Sequence, residues 1–547
     1  MVAKNLSRVS KDKVAAVKGA VLDFTQSLCP DCWIEGNYKV LPAKIVARDG
    51  KIYIDRVCDK HGEIEEIYWG SEELYLKSRK YAIDGCGIDN PINSEDNPLC
   101  PLSCGYCKIH LSGPALANLV VTNRCDLNCW YCFFFAEKAG YVFEPSVDQI
   151  KRMVRNFRSV LPVPGMAVQI TGGEPSIRND IIEVITAIRE EGVRHIQFNT
   201  DGLRLAMDKE FARKIRAAGV NTLYLSFDGV SPATNPKNHW EVPFVVQNCR
   251  EAGGMGVVFV PTVINSVNDH DLGNIIAVAF RNLDVVHGVN FQPVSLTGRI
   301  TKSERSKLRI TSPDVIMRIE EQTEGQITRD DWYTVPSVGA INRIITAITK
   351  KPQLNFTNHF ACGLATYVFL EDGKYIPIPK FIDVDGFFEY LKEKADELEK
   401  GKSKYWVGLK LLYNLRKFVD NDRKPKDLKI TRTLLRIIMQ HDYSALGDFH
   451  MKTLFLGMMH FMDLYNYDVN RTKRCNIVYL SPDDRLIPFC AFNTLSMIYR
   501  DVIQPKYGMP VEEWEAKTGA KLKDAYYKRD IKALTTSDIY KKFYESV

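Results

Sequence analysis

The stretch Asn118-Leu-Val-Val-Thr122-Asn-Arg-Cys125-Asp-Leu-Asn-Cys129-Trp-Tyr-Cys132 runs from a short apolar strand, Asn118 to Thr122, straight into three thiols. Three thiolates from one loop can wrap a corner of a cubane iron–sulfur cluster. No fourth cysteine is near, so one iron keeps an open position. Downstream, a second strand, Ala167 to Thr171, runs into Gly172-Gly173-Glu174-Pro175. Further strands are predicted at Arg194–Asn199, Asn221–Phe227, Gly256–Val263 and Gly288–Val294. Amphipathic helical stretches fall between them at Val147–Ser159, Asp180–Glu191, Lys209–Ala218, Pro243–Glu251 and Asp271–Leu283. Strands alternating with helices imply a parallel sheet. Six such units over residues 116–300 predict an α/β fold, an open (β/α)6 partial TIM barrel. Sites in such barrels are built at strand C-termini. The polar residues there are Asn199, Thr200, Asp201, Ser226, Asp228, Thr262, Asn265 and Gln292. Asp228 and Asn265 serve equally well as helix caps.

The cysteine triplet and the Gly-Gly-Glu turn, in this order and at this separation, resemble the radical SAM superfamily. The resemblance implies a 4Fe–4S cluster on Cys125, Cys129 and Cys132, whose open iron chelates S-adenosylmethionine. It implies that Gly172 and Gly173 admit the methionine end of the cosubstrate and that Glu174 accepts its ammonium. Tyr131 is then expected to offer its backbone to adenine. Asn199, Thr200 and Ser226 become candidates for ribose and carboxylate contacts. An electron passed into the sulfonium would release a 5′-deoxyadenosyl radical able to take hydrogen from an unactivated carbon.

Upstream, residues 1–115 are read as a metal ribbon and cluster domain. Ten of the 14 cysteines lie in the first 132 residues, which is unlike the scatter of packed core thiols. Cys29-Pro-Asp-Cys32 and Cys58-Asp-Lys-His61 flank a hairpin predicted to turn at Asp49-Gly50. Three sulfurs and one imidazole suit a single tetrahedral Zn or Fe. Cys100-Pro-Leu-Ser-Cys104-Gly-Tyr-Cys107 repeats the cubane spacing, with Cys86 the candidate for a fourth ligand of an auxiliary 4Fe–4S cluster. The alternative pairs Cys104 and Cys107 with Cys29 and Cys32 around one metal.

Beyond residue 300 the alternation stops. Residues 301–547 are read as a mainly helical C-terminal domain. Cys362, Cys475 and Cys490 lie beside two predicted hairpins and are candidate ligands of a second auxiliary 4Fe–4S cluster, completed by Cys249, a histidine or substrate. Cys249 sits in a helical stretch, where a packed thiol is the commoner outcome. Lys402 to Gln440 carries eleven Lys/Arg and three Asp, interleaved with aromatic and aliphatic residues. Such a stretch is either a docking face for anionic headgroups or a solvated helix face. Met451 to Tyr467 is almost wholly apolar and suits a pocket lining or a core.

Composition bounds the rest. The 547 residues are 45% hydrophobic and 26% charged, ordinary for a globular chain. A net charge of +6 does not by itself point to nucleic acid. There is no apolar run long enough to span a bilayer and no signal-like N-terminus, so a cytoplasmic protein is expected. The ribbon, the cysteine clusters and Asn290-Phe-Gln-Pro-Val-Ser-Leu-Thr-Gly-Arg299 together resemble the archaeal radical SAM proteins that include tetraether lipid synthase. That likeness implies joining of isoprenoid chain ends of diether phospholipids, peripheral contact with the membrane, and a ferredoxin or flavodoxin as reductant. The competing expectations are a radical methylase of a pterin or similar heterocycle, an RNA-modifying radical enzyme, and a multi-cluster electron-transfer protein.

Overall fold

The computed structural model describes residues 19–545 apart from 133, 135–138, 298–301, 355, 427, 429–435, 437–448 and 450. Its centre is the expected barrel sheet. Leu116–Thr122, Ala167–Gly172, His195–Thr200, Val220–Ser226, Gly256–Val260 and Val286–Pro293 follow one another in space as in sequence, every neighbouring pair parallel. Leu116–Thr122 is buried along almost its whole length. A strand covered on both faces needs such a continuous apolar run. The crossover helices have local reasons to start where they do. Ser146 and Gln149 form a reciprocal cap on Val147–Arg158, and Asp208 caps Lys209–Ala218.

The sheet does not stop at six strands. Leu454–Met459 adds in parallel outside Val286–Pro293, and Ile477–Leu480 adds in parallel outside Leu116–Thr122. Antiparallel strands then continue it, Gly363–Glu371 on the first side and Leu486–Pro488 on the second. Residues 301–547 thus build both flanks of the barrel as well as peripheral helices. The apolar stretch from Met451 is one of these flanking strands, with Leu454, Leu456 and Met458 in the core. Its apolar continuity is that of a strand buried on both faces.

The N-terminal ribbon is a separate antiparallel sheet of Ala20–Leu28, Val40–Arg48, Lys51–Cys58 and Gly62–Trp69. Its hairpin turns at Asp49 and Gly50, both left-handed (φ 51° and 70°), as a two-residue hairpin loop requires. The ribbon is bolted to the C-terminal third. Arg56 donates to the Leu28 and Tyr465 carbonyls at 2.8 and 2.6 Å, and the Tyr68 hydroxyl donates to Asp468 at 2.7 Å. Arg309 pairs with both Glu66 and Asp463, at 2.9 and 3.0 Å.

The basic stretch proves to be a packed helix over its first half. Lys404–Asn414 buries Val407 and Leu411 against Leu391 and Ala395. Of the stretch's basic residues, Lys402 and Lys410 pair with Glu397 at 3.4 and 3.2 Å, while Tyr405, Trp406, Leu409 and Tyr413 stay exposed. Leu434, Leu435, Ile437, Ile438 and Met439 lie outside the described residues. Among the described residues no helix is long and apolar enough to cross a membrane.

Candidate active site and metal centres

At the ribbon end, Cys29, Cys32, Cys58 and His61 converge. Nδ1 of His61 lies 3.2, 3.4 and 3.7 Å from the sulfurs of Cys29, Cys32 and Cys58, and the Cys32 and Cys58 sulfurs are 3.6 Å apart. Ligands about 2.3 Å from a common tetrahedral centre stand roughly 3.8 Å apart, so the donor set fits one metal ion. The Nε2 edge of His61 faces Glu35 at 3.4 Å, the carboxylate support that orients a metal-bound imidazole. Cys104 and Cys107 are not among the donors gathered there and line a separate cavity.

The cysteine loop leaves the sheet at Thr122. Gly172 has φ 149°, and a Cβ there would collide with the Thr122 carbonyl; one at Gly173 would collide with the Arg124 carbonyl. The bare backbones instead meet. The Gly173 amide donates to Thr122 at 2.9 Å and the Glu174 amide to Arg124 at 2.8 Å. The two glycines therefore clamp the Gly-Gly-Glu turn to the base of the loop carrying Cys125, Cys129 and Cys132. All three thiols are half-buried. Burial pushes the Cys129 thiol up to about 12 and the Cys125 thiol well above its usual range, with Asp201 and Asp126 adding to the latter. Cys125 and Cys129 are soft donors held where a bare thiolate is disfavoured, which fits binding of a cationic iron cluster.

Beside them lies a buried acidic group. The Glu174 carboxylate accepts from the Ser176 amide at 2.8 Å, the Thr200 hydroxyl at 2.9 Å and the Asp201 amide at 2.8 Å. Burial, then the charge of Asp126, raises its pKa to about 7. Asp126 and Asp201 lie within 4.8 Å of the Cys125 sulfur and of each other, and burial raises both carboxyls. Thr200 spends its hydroxyl on Glu174 and on the Gly202 amide, 3.0 Å away, so it acts behind the site, as a prop for Glu174. Asn199 is half-buried and donates to Thr171 at 3.2 Å. Ser226 and Tyr131 join a constellation that sequence reasoning missed. Lys237 pairs with Asp228 at 2.8 Å and also donates to the Ser226 hydroxyl, while the Tyr131 hydroxyl donates to Asp228. Lys237 lies in a loop without periodicity, and its one sequence signal is its position shortly after a strand end.

The remaining thiols sort into three places. Cys100, Cys104 and Cys107 line a cavity together with His110, Thr472 and Lys473. Cys86, expected as the fourth ligand there, is exposed, and its sulfur faces the Gly87 carbonyl at 3.7 Å. Its neighbour Gly87 is pinned to the Leu111 carbonyl, which holds Cys86 at the surface. Cys475 is raised to about 12 by burial, then by Cys490 and Cys362, which places those three thiols in one electrostatic neighbourhood. Arg471 donates to the Cys362 sulfur at 3.3 Å, and the Met462 amide to Cys490 at 3.5 Å. Cys249 is packed in the main core on Val242–Ala252, as its helical context favoured.

Residues 119–279 match the radical SAM superfamily, and residues 21–70 match the HMPTM N-terminal zinc ribbon domain. The chain is 44% identical over 500 residues to a 7,8-dihydro-6-hydroxymethylpterin dimethyltransferase of Methanocaldococcus jannaschii, a match covering 90% of this chain and 96% of that one. The chain belongs to this dimethyltransferase family. It is a radical SAM enzyme, its cofactors a 4Fe–4S cluster and S-adenosylmethionine, with a further metal at the ribbon. A GTP 3′,8-cyclase of Marinobacter nauticus is 27% identical over 203 residues, 36% of this chain and 59% of that one. Among solved structures, SuiB of Streptococcus suis matches 39% of this chain and 48% of its own at 16% identity, with a TM-score of 0.32. Membership of the dimethyltransferase family overturns the expected tetraether lipid synthesis. The diether phospholipid falls with it, and neither the expected membrane surface nor the ferredoxin or flavodoxin reductant gains support from these matches.

Proposed function

We propose that this enzyme methylates a reduced pterin, 7,8-dihydro-6-hydroxymethylpterin or a near analogue. One observation carries the reading: the match to the M. jannaschii dimethyltransferase runs through 90% of the chain, too much to be confined to the superfamily core. The barrel mouth supports it. Asp126, Asp201, Asp228 and Lys237 gather there, and a small heterocycle edged with donors and acceptors is recognised by such groups. When bound, the cluster and cosubstrate supply a radical able to activate an inert carbon–hydrogen bond. The chain's own residues hold and orient. The carboxylate of Glu174 keeps about one lone pair free after its three internal hydrogen bonds, enough to accept the cosubstrate ammonium. Asp126 and Asp201, whose carboxyls burial holds toward the neutral form, are the groups that a cationic sulfonium and ammonium would draw into the charged form. Lys237, braced by Asp228 and Ser226, supplies a positive charge beside Cys129. Cys362, Cys475 and Cys490 hold an auxiliary cluster in this reading.

Expression in a host that makes 7,8-dihydro-6-hydroxymethylpterin tests the reading. Mass spectrometry of the pterin pool should find singly and doubly methylated pterins that are absent when Cys125→Ala is expressed. A pterin pool left unmethylated by protein that carries its cluster and cleaves S-adenosylmethionine would reject it.

A further inference from the structure

A second cysteine run shares the spacing of the radical SAM loop but ends differently. Cys100, Cys104 and Cys107 are followed, three residues on, by His110. The same Cys-x2-His step occurs at Cys58 and His61, where the imidazole turns its Nδ1 to the sulfurs and its Nε2 outward to Glu35. His110 likewise gives its Nε2 to an acceptor other than a thiol. Its ring is buried, stacked on Tyr106 with centroids 4.2 Å apart, and Nε2 lies 2.9 Å from the Cys475 carbonyl. A carbonyl can only accept, so Nε2 carries the proton and Nδ1 keeps a free lone pair. This is how a ligating histidine is fixed, with its other nitrogen donating to a carbonyl or carboxylate. His110 and the three thiols line one cavity, and Cys86 does not.

We propose that Cys100, Cys104, Cys107 and His110 are the four protein ligands of a second iron–sulfur cluster, with His110 bound through Nδ1. All four irons are then held by the chain, in contrast to the cluster on Cys125, Cys129 and Cys132. A saturated cluster passes electrons and binds no substrate. Exchanging a thiolate for a neutral imidazole raises its reduction potential, as histidine does in Rieske centres. The assignment does not depend on which substrate the barrel takes.

The test uses full-length protein with Cys125, Cys129, Cys132, Cys362, Cys475 and Cys490 changed to Ala, so that neither the radical cluster nor the auxiliary cluster assigned to the last three thiols contributes, and with zinc in the ribbon, which is silent to electron resonance. After anaerobic reconstitution and reduction, pulsed electron resonance should show the coupling of a directly bound nitrogen. His110→Ala should abolish that coupling. Because a buried histidine is being truncated, His110→Cys is the companion: it should keep the iron and sulfide, lose the nitrogen coupling and move the potential in the negative direction. Cys86→Ala should change none of these. No nitrogen coupling in the parent, a coupling that survives His110→Cys, or loss of the cluster in Cys86→Ala would each overturn the assignment.

Discussion

The Glu174 carboxylate is wholly buried and accepts three hydrogen bonds from its own surroundings before any cosubstrate arrives. Its ordinary pKa of 4.5 is raised to about 7 by burial and by Asp126. A carboxyl with a raised folded-state pKa stabilises the fold while protonated, below its unfolded value, and loses that contribution as pH rises through the folded value. The window here is 4.5 to about 7. Glu174→Gln should melt at lower temperature than wild type at about pH 5, because the amide presents a donor to backbone donors, at a cost of roughly 1–3 kcal/mol. The gap should narrow by about pH 8, where wild type has lost its own contribution. Affinity for S-adenosylmethionine should fall about ten- to a hundredfold, the loss of one charge-assisted hydrogen bond. A gap that widens with pH, or an unchanged affinity by calorimetry, contradicts this account. Gly173→Ala tests the clamp. Its Cβ would meet the rigid Arg124 carbonyl, so the turn must detach from the cysteine loop. Iron bound at Cys125, Cys129 and Cys132 should then drop markedly while the ribbon keeps its metal, as metal analysis can show. The motif residues were legible because their chemistry is local in sequence. The grouping of Lys237 with Tyr131, Ser226 and Asp228 was not, because it forms where the cysteine loop meets the long connection after Val220–Ser226.

At the scale of elements, the ribbon was the most readable part. Asp49-Gly50 between two alternating strands specifies a hairpin, and two Cys-x2 steps specify a metal at its open end. Five of the six barrel strands appear within one or two residues of their predicted bounds, since a continuous apolar run between helices leaves few other assignments; the run expected at Gly256–Val263 divides at Pro261 into Gly256–Val260 and Thr262–Val263. The orienting carboxylate was not readable: Glu35 lies 26 residues before His61 and comes near only once the ribbon closes. Its removal gives a graded test. Glu35→Ala should leave all four ligands in place and weaken metal binding about 10–100-fold. Competition against a chelator of known affinity measures this. Cys32→Ser, by comparison, should lose the metal outright and expose residues 20–69 to protease. If Glu35→Ala holds its metal as tightly as the parent, the 3.4 Å contact with His61 contributes nothing and Glu35 serves only its partner Lys60, 2.6 Å away.

At the scale of the molecule, the boundary at residue 300 divides the sequence but not the sheet. Pattern reading treats each strand by its own residues and has no access to partners hundreds of positions away. The apolar segment at 454–459 therefore read as a pocket lining or a core and not as a strand, although its partner is the last strand of the barrel. Ile477–Leu480 likewise closes the side of Leu116–Thr122 that a six-strand barrel would leave bare. This arrangement makes a definite prediction about a fragment of residues 116–300. It would expose unpaired backbone along Val286–Pro293 on one flank and Leu116–Thr122 on the other, beside side chains that are now buried. An unpaired, apolar strand edge is a template for association. The fragment should therefore aggregate or lack a cooperative thermal transition, although it holds the whole cysteine loop and the Gly-Gly-Glu turn. Supplying residues 301–547 in trans should restore solubility, since that piece carries both flanking strands and the partners of the ribbon, Tyr465 and Asp468. Light scattering and thermal melts of the fragment, alone and co-expressed, decide the matter. A monomeric fragment that melts cooperatively near the full-length temperature would show that the six strands suffice and that the flanking strands are additions to a barrel already complete.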